Sequence, residues 1–290
     1  MKFSVIIPTY NRFESLKRTL SSIFQQDFGE YEIIVVNDGS SDGTHEYLLS
    51  ISSKHKIKYH HHQNSGLAAT RKAGLQYATG EFVAFTDDDC VLPKDWLKKY
   101  YHLFQNSNAS VIGGPTKTGD PSNPCADAND FINNYFKSKL NSARRNTPYL
   151  TGNNIAFRRT SLEKVGGPDP VFRMGAEDRD LIFRLSRAGE KIVFAPDIII
   201  THFNNSNFKQ FVRHQFVQGK GSYIYYTHTQ NRDGGKPTPI PLKVYLGLLF
   251  APFRSRGLLR AFTLLFLIIV AQFSVTLGFF IYFLRGKRIP

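Results

Sequence analysis

Short apolar runs separated by polar, glycine-bearing turns recur along the first two thirds of the chain. Phe3-Ser-Val-Ile-Ile-Pro8 predicts a first strand ended by a proline, and Thr9-Tyr10-Asn11-Arg12 a polar loop. A helix is expected over Phe13–Gln25, where Leu16, Leu20, Ile23 and Phe24 share one face. Tyr31-Glu-Ile-Ile-Val-Val-Asn-Asp38 reads as a second strand ending in an acid. Gly39-Ser-Ser-Asp-Gly-Thr44 then supplies turn chemistry before a helix over Glu46–Ile51. A third strand is expected at Ile57–His61, and Asn64-Ser65-Gly66 opens a helix from Leu67 to Ala78. Phe82-Val-Ala-Phe85 is an unbroken apolar run, as in a strand covered on both faces. A helix over Lys94–Phe104 and a strand over Ser110–Gly113 follow. This alternation predicts an α/β, Rossmann-like, mostly parallel sheet flanked by helices.

From Pro115 to Thr147 the pattern loosens, with one short helix expected over Phe131–Leu140. Regular structure resumes with a strand at Asn154–Arg158. Met174-Gly-Ala-Glu-Asp-Arg-Asp-Leu181 opens a helix that Gly189 ends, and strands are expected at Ile192–Ala195 and Asp197–His202. Ala261–Leu284 carries no charge and is long enough to cross a bilayer, which takes about 20 residues. Arginines 254, 256 and 260 flank it on one side, and Arg285, Lys287 and Arg288 on the other. Leu242–Phe253 is too short to span and reads as an interfacial helix. A hydrophobic core helix is the alternative for either segment.

Of the 290 residues 41% are hydrophobic, ample for a core, so a disordered chain is excluded. Lys and Arg number 37 against 23 Asp and Glu, a net +14 that suggests anionic partners: nucleic acid, an acidic membrane surface or phosphorylated substrates. Two cysteines, Cys90 and Cys125, offer neither a disulfide framework nor metal-binding spacing, which points to a reducing compartment. The N-terminal apolar run is too short for a secretory signal, so the body of the protein is expected to start in the cytoplasm.

The candidate chemistry gathers where strands end. Asp87, Asp88 and Asp89 follow the most apolar strand, where three adjacent carboxylates repel one another and ask for a cation. On an extended backbone Asp87 and Asp89 would point the same way and offer oxygen ligands to Mg²⁺ or Mn²⁺. The alternative is an acidic turn capping the helix near Pro93. In an open parallel sheet the ligand sits at the carboxyl ends of the strands, so Thr9, Asp38 and Asp87 should meet in one crevice.

Five segments together resemble family 2 of the inverting nucleotide-sugar glycosyltransferases, whose fold is GT-A. They are Val5-Ile-Ile-Pro-Thr-Tyr-Asn-Arg12, Val35-Val-Asn-Asp-Gly-Ser-Ser-Asp-Gly43, Asn64-Ser-Gly-Leu-Ala-Ala-Thr-Arg71, Thr86-Asp-Asp-Asp89 and Gly175-Ala-Glu-Asp-Arg-Asp-Leu181. The resemblance covers about residues 3 to 205. It implies that Pro8, Thr9, Tyr10 and Arg12 line a nucleotide pocket, that Asp38 binds the base, and that Asn64, Gly66 and Arg71 lie near base and diphosphate. Asp87 and Asp89 match the family's metal-binding Asp-x-Asp, with Asp88 between them counted among the donor-binding residues. His202 matches a histidine that completes the metal or diphosphate site in many relatives, an ordinary structural histidine being the alternative.

Asp178 matches the family's general base, with Glu177 beside it orienting the acceptor. The competing reading is that Glu177, Asp178 and Asp180 only complement a helix dipole. Asn153 and Asn154 are expected to contact sugar hydroxyls, or else simply to form turns. The Gln-x-x-Arg-Trp motif of the family's processive branch is replaced by Arg213-His-Gln-Phe-Val-Gln-Gly-Lys-Gly-Ser222, which favours addition of a single sugar.

The resemblance implies a catalytic domain over residues 1–235: a nucleotide-binding half (1–114), an acceptor and catalytic half (115–205) and a helical extension (206–235). An interfacial segment (236–260) and a transmembrane helix (261–284) complete it. The partners implied are a nucleotide-sugar donor, a lipid-linked or cell-envelope glycan acceptor and a membrane, with no nucleic acid and with the catalytic domain cytoplasmic. A nucleotidyltransferase of related fold, or a non-catalytic nucleotide-binding membrane protein, are the other readings.

Overall fold

The computed structural model describes residues 1–142, 148–173, 175–204, 206–235, 237 and 239–285. The positions of Met174, Lys287 and Arg288 lie outside the described residues. The chain divides into two compact units, each built from discontinuous segments. One comprises Met1–Lys117, Leu150–Arg173 and Glu177–Phe203; the other comprises Thr118–Tyr149, Met174–Ala176 and Asn204–Pro290.

The elements of the chain begin as β1 (Phe3–Thr9), α1 (Phe13–Ile23), β2 (Tyr31–Asn37), α2 (Thr44–His55), β3 (Ile57–His61), α3 (Leu67–Gln76) and β4 (Phe82–Thr86). A two-residue β5 (Cys90–Val91), α4 (Trp96–Asn106), β6 (Val111–Gly113) and β7 (Thr116–Thr118) come next, then α5 (Pro124–Ser142). Beyond it lie β8 (Asn154–Arg158), α6 (Arg159–Lys164), α7 (Glu177–Arg187), β9 (Ile192–Phe194) and β10 (Ile200–His202). The remainder is helical: α8 (Phe208–Asp233), α9 (Leu242–Phe250), α10 (Pro252–Ser255) and α11 (Leu258–Leu284).

The first unit is built on a seven-stranded sheet in the order β3-β2-β1-β4-β8-β6-β9. Neighbours are parallel except around β8, which runs antiparallel to both β4 and β6. Strand periodicity sorts the core into two layers. Phe3, Val5 and Ile7 pack on one side of the sheet with Ile33, Val35 and Ala84, and Ile6 packs on the other with Ile34, Val36, Val83 and Phe85.

Pro8 does not end β1, which continues to Thr9 and is buried throughout. The ladder with β4 stops at Ile6 opposite Phe85, so the residue lacking an N–H falls beyond the last rung on that side. A second, three-stranded sheet in the order β5-β10-β7 places His202 opposite Cys90.

The second unit is helical, with a core joining Ile132 and Phe136 of α5, Phe211 of α8, Leu248 of α9 and Leu264, Leu267 and Ile268 of α11. The single segment expected at Leu242–Phe253 is two helices, because Pro252 starts a new one. Among the described residues α11 is the one helix long and apolar enough to cross a membrane, and a third of its most apolar window is buried.

A buried polar knot locks the start of β1 to β2. Glu32, 8% exposed, accepts hydrogen bonds from Ser4 Oγ (2.6 Å), Thr79 N (2.7 Å) and Thr79 Oγ1 (2.9 Å), and pairs with Lys58 at 2.7 Å. Burial raises its pKa, but these donors outweigh burial and hold it at about 2. Because the folded value lies below the unfolded one, the stabilisation is complete above about pH 4.5 and is lost as pH falls towards 2. Glu32→Gln should therefore cost about 1–3 kcal/mol at pH 7, by turning an amide N–H₂ onto donors. Thermal unfolding at pH 7 and pH 3 checks this: the variant's deficit should shrink at the lower pH.

Candidate active site

Parallel strands carry their carboxyl ends to one edge, and the polar residues found there are held by one another. Thr9, at the end of β1, donates Oγ1–H to Asp88 Oδ2 at 2.7 Å. Arg12 reaches across from the following loop to Asp88 Oδ1 (3.4 Å) and closely to Asp89 Oδ2. His202 Nε2, on β10, lies 3.4 Å from Asp89 Oδ1.

The expected parallel orientation of Asp87 and Asp89 does not hold. Strand β4 ends at Thr86 and Asp88–Asp89 form a turn, so Asp87 faces Arg71 while Asp88 and Asp89 share Arg12. Burial pushes Asp88 up to about 7 against the pull of Arg12. Asp89 is buried as well, yet His202 and Arg12 keep its carboxyl well below the usual range.

Arg71 is the second centre. It stands on the second turn of α3, 2% exposed, and donates Nη2–H to Asp87 Oδ1 (2.6 Å) and Nη1–H to Glu177 Oε1 (2.8 Å). Gly152 makes room for it, since a Cβ there would overlap Nη1. Arg71, expected near the base and diphosphate, is enclosed here and paired with two carboxylates. Of its two partners Asp87 is the more open, its side chain 28% exposed.

The start of α7 separates three acids into three situations. Glu177 is buried, and burial together with the neighbouring Asp178 raises it to about 7 against the pull of Arg71. Asp180 is fully buried and pairs with Arg184 at 2.7 Å, while Arg184 also holds the carbonyls of Val165 and Gly167. Asp178 is half-buried, taking the N–H of Gly152 (3.3 Å) and of Arg179 (2.7 Å). It is thus the acid of the three best placed to meet a substrate. The preceding Ala176 has φ +71°, a left-handed conformation costly for a residue with a Cβ, directly before the pair of acids.

The nucleotide-side expectations divide. Asp38 does not stand open: its oxygens accept N–H from Ser65 (2.7 Å) and Gly66 (3.0 Å), pinning the loop that carries the exposed Asn64. Gly66 has φ +90°, and a Cβ there would press on Arg173. Pro8 is buried inside β1, whereas Tyr10, just beyond the strand, is 47% exposed.

Asn153 is half-buried and accepts from Thr151 Oγ1. Asn154 is corrected to a structural role. It is fully buried, with Oδ1 accepting from Trp96 Nε1 and Tyr100 OH, and Nδ2 donating to the carbonyls of Pro115 and Ile198. Sequence reasoning missed how the β1 and β2 loops are tied. Asn11, with φ +51°, accepts from Ser41 N and donates its own N–H to Ser40 Oγ, and Asp42 caps the first turn of α1 through Phe13 N. The polar Ser40-Ser-Asp42 after Gly39 was the available signal.

Carboxylates are the donor type that holds Mg²⁺ or Mn²⁺, and an imidazole beside them suits the more borderline divalent ions. Among the described residues no three acidic, histidine or cysteine groups form a ready-made cage, and Arg12 and Arg71 balance the carboxylates instead. The donor set fits such an ion in chemistry, with Asp89 beside His202 and Asp87 partly open.

Comparison with known proteins places the chain in a family. The family described as "Glycosyl transferase family 2" matches residues 4–166, more than half of the chain. Glycosyltransferase AglE of Haloferax volcanii is 30% identical over 225 residues, covering 75% of this chain and 72% of that protein. A Campylobacter jejuni protein, GalNAc(5)-diNAcBac-PP-undecaprenol beta-1,3-glucosyltransferase, is 44% identical over 115 residues, 39% of this chain and 37% of its own. Other relatives are much longer, and the chain spans 16% of Streptococcus pneumoniae GlyA and 32% of Escherichia coli chondroitin synthase.

Among solved structures, a Pyrobaculum calidifontis mannosyltransferase, PcManGT, in complex with GDP-Man and Mn²⁺ superposes with a TM-score of 0.71 at 19% identity, over 99% of this chain and 88% of that one. S. aureus TarS residues 1–349 with UDP-GlcNAc give 0.55 at 19% identity, over 100% and 93%. These likenesses carry the GT-A fold. With its sheet order, its strand-end carboxylates and this match, the chain belongs to glycosyl transferase family 2.

Proposed function

We propose that this glycosyltransferase moves one sugar from a nucleoside-diphosphate sugar to a hydroxyl of a lipid-linked or cell-envelope glycan acceptor, with inversion and with a divalent cation. The observation that carries the reading is the Arg71 bridge, which ties Asp87 at the end of β4 to Glu177 at the start of α7. Carboxylates suited to a donor's cation and a half-buried carboxylate suited to an acceptor's proton thereby belong to one site. In support, a solved neighbour holds GDP-Man and Mn²⁺, another holds UDP-GlcNAc, and one relative is named for a polyprenol-linked substrate.

In the reaction the acceptor oxygen bonds to the anomeric carbon as the bond from that carbon to the diphosphate oxygen breaks. The electron pair leaves with the nucleoside diphosphate. Asp178 takes the acceptor's proton, a positioned carboxylate acting on a hydroxyl that acidifies as it attacks. Glu177, held by Arg71, orients α7's first turn. A cation held by Asp87, Asp89 and His202 would neutralise charge growing on the leaving diphosphate.

Two variants separate the roles. Asp178→Asn should bind nucleoside diphosphate with Mn²⁺ nearly as the parent does, yet turn over about 10²–10⁴-fold more slowly. Retained turnover would transfer the base role to Glu177. Asp89→Asn should lose metal-dependent binding of the nucleoside diphosphate by calorimetry, and undiminished affinity would remove Asp89 from the cation site. Nucleoside diphosphate release from a panel of UDP-, GDP- and TDP-sugars, with and without EDTA, tests the activity itself. A nucleotidyltransferase, which makes nucleotide sugars from nucleoside triphosphates with loss of pyrophosphate, would release no nucleoside diphosphate from this panel.

A further inference from the structure

Helix α11 passes every sequence criterion for a membrane span, yet its surroundings argue against spanning. It lies alongside α8 in the same direction. Phe208 stacks on Phe266 at 6.4 Å, and Tyr223 meets Phe279 at 5.6 Å. The two backbones touch between these points: a Cβ on Gly219 would overlap the carbonyl of Val275, and one on Gly278 would overlap that of Phe216. Such glycine-mediated approach is a fixed packing, as in small-residue helix pairs.

If α11 crossed a bilayer, the part of α8 beside its midpoint would sit at the membrane centre. That part carries Arg213 and His214, both exposed, with Lys209 and Lys220 on either side. A charged side chain is costly at the bilayer centre, and the helical core under α11 would have to follow it there. The buried face of α11 is already used, through Leu264, Leu267, Ile268 and Ala271, against α5, α8 and α9.

The other face of α11 is apolar and uncovered. Phe262, Phe266, Ile269, Phe273, Leu277 and Phe280 are between 42% and 69% exposed, at the three-and-four spacing of one helical stripe. Leu242, Leu246 and Phe250 form a second exposed stripe on α9. Phe253 joins the first stripe by its contact with Phe262, 5.2 Å between rings. Six half-exposed large side chains present roughly 500 Å², as large as monomer patches usually become. Lys209 of α8, Lys243 of α9 and Arg254 of α10 are exposed in the same helical unit. A second copy of this chain would bring the same positive charges against them, whereas anionic headgroups would complement them.

We propose that α11 does not cross the bilayer but lies in the plane of one anionic leaflet, its outward stripe submerged among acyl chains and the lysines and arginines at the headgroups. This is the geometry of a monotopic amphipathic surface, buried about 5–10 Å. On this proposal Ala261–Leu284 is an interfacial segment instead of a single-pass span.

The test uses the full chain with single cysteines placed by Phe262→Cys, Phe273→Cys and Leu284→Cys, the native Cys90 and Cys125 being buried. Each is labelled with a fluorophore and quenched by lipids brominated at graded depths, in vesicles of phosphatidylcholine and phosphatidylglycerol. The first and last sites are about 33 Å apart along a helix. The proposal expects all three at one shallow depth. A Phe273 label at the bilayer centre with the other two at opposite surfaces would overturn it.

In parallel, Phe266→Glu/Phe273→Glu should lower partitioning into these vesicles at least tenfold with its melting temperature retained. Unchanged partitioning, or a parent chain that ignores vesicles and instead self-associates through this face, would equally overturn the proposal.

Discussion

A guanidinium enclosed in protein is the constraint from which the site follows. Removing a cation from water costs several kcal/mol after relaxation, so Arg71 is tolerable only where two carboxylates reach it with good geometry. Asp87 and Glu177 do so at 2.6 and 2.8 Å. Because one carboxylate closes β4 and the other begins α7, the requirement fixes where a late helix starts relative to an early strand. It also explains the glycine at 152, whose missing Cβ is the space the guanidinium occupies. Asp178 takes its position from the same place, accepting the N–H of that glycine.

A second cation serves the neighbouring carboxylates. Arg12 holds Asp88 and Asp89, while Thr9 and His202 contribute from the ends of β1 and β10. The cluster of acids is thus divided between two arginines, one enclosed and one half-open to solvent. The half-open one is the natural candidate to yield to an incoming cation, which would take over its pairing with the buried Asp89. Asp38 plays a different part, fastening the glycine-containing loop before α3 and so setting the helix that carries Arg71.

Much of this was legible. The apolar runs at Phe3–Ile7, Ile33–Val36 and Phe82–Phe85 are strands because nothing else buries such short runs on both sides, and the acids after them mark the sheet's functional edge. What periodicity could not show was orientation. Asp87 and Asp89 part because the backbone leaves the strand at Thr86 and turns, and Asn154 faces the core because Trp96, Tyr100 and two carbonyls converge there. The small strands β5 and β7 are too short to carry a pattern. The partner of α11 was equally hidden: hydropathy sees one helix at a time, and only the glycine contacts with α8 reveal that charged neighbours travel with it.

The account's central claim is that Arg71 couples Asp87 to Glu177. The most direct measurement is a double-mutant cycle of Asp87→Asn and Glu177→Gln, read as unfolding free energy at pH 8, where Glu177, held at about 7, is ionised. If the guanidinium depends on both charges, the second substitution leaves it uncompensated, and the double variant should lose more than the sum of the singles by over about 1 kcal/mol. Additivity within about 0.5 kcal/mol would contradict the account.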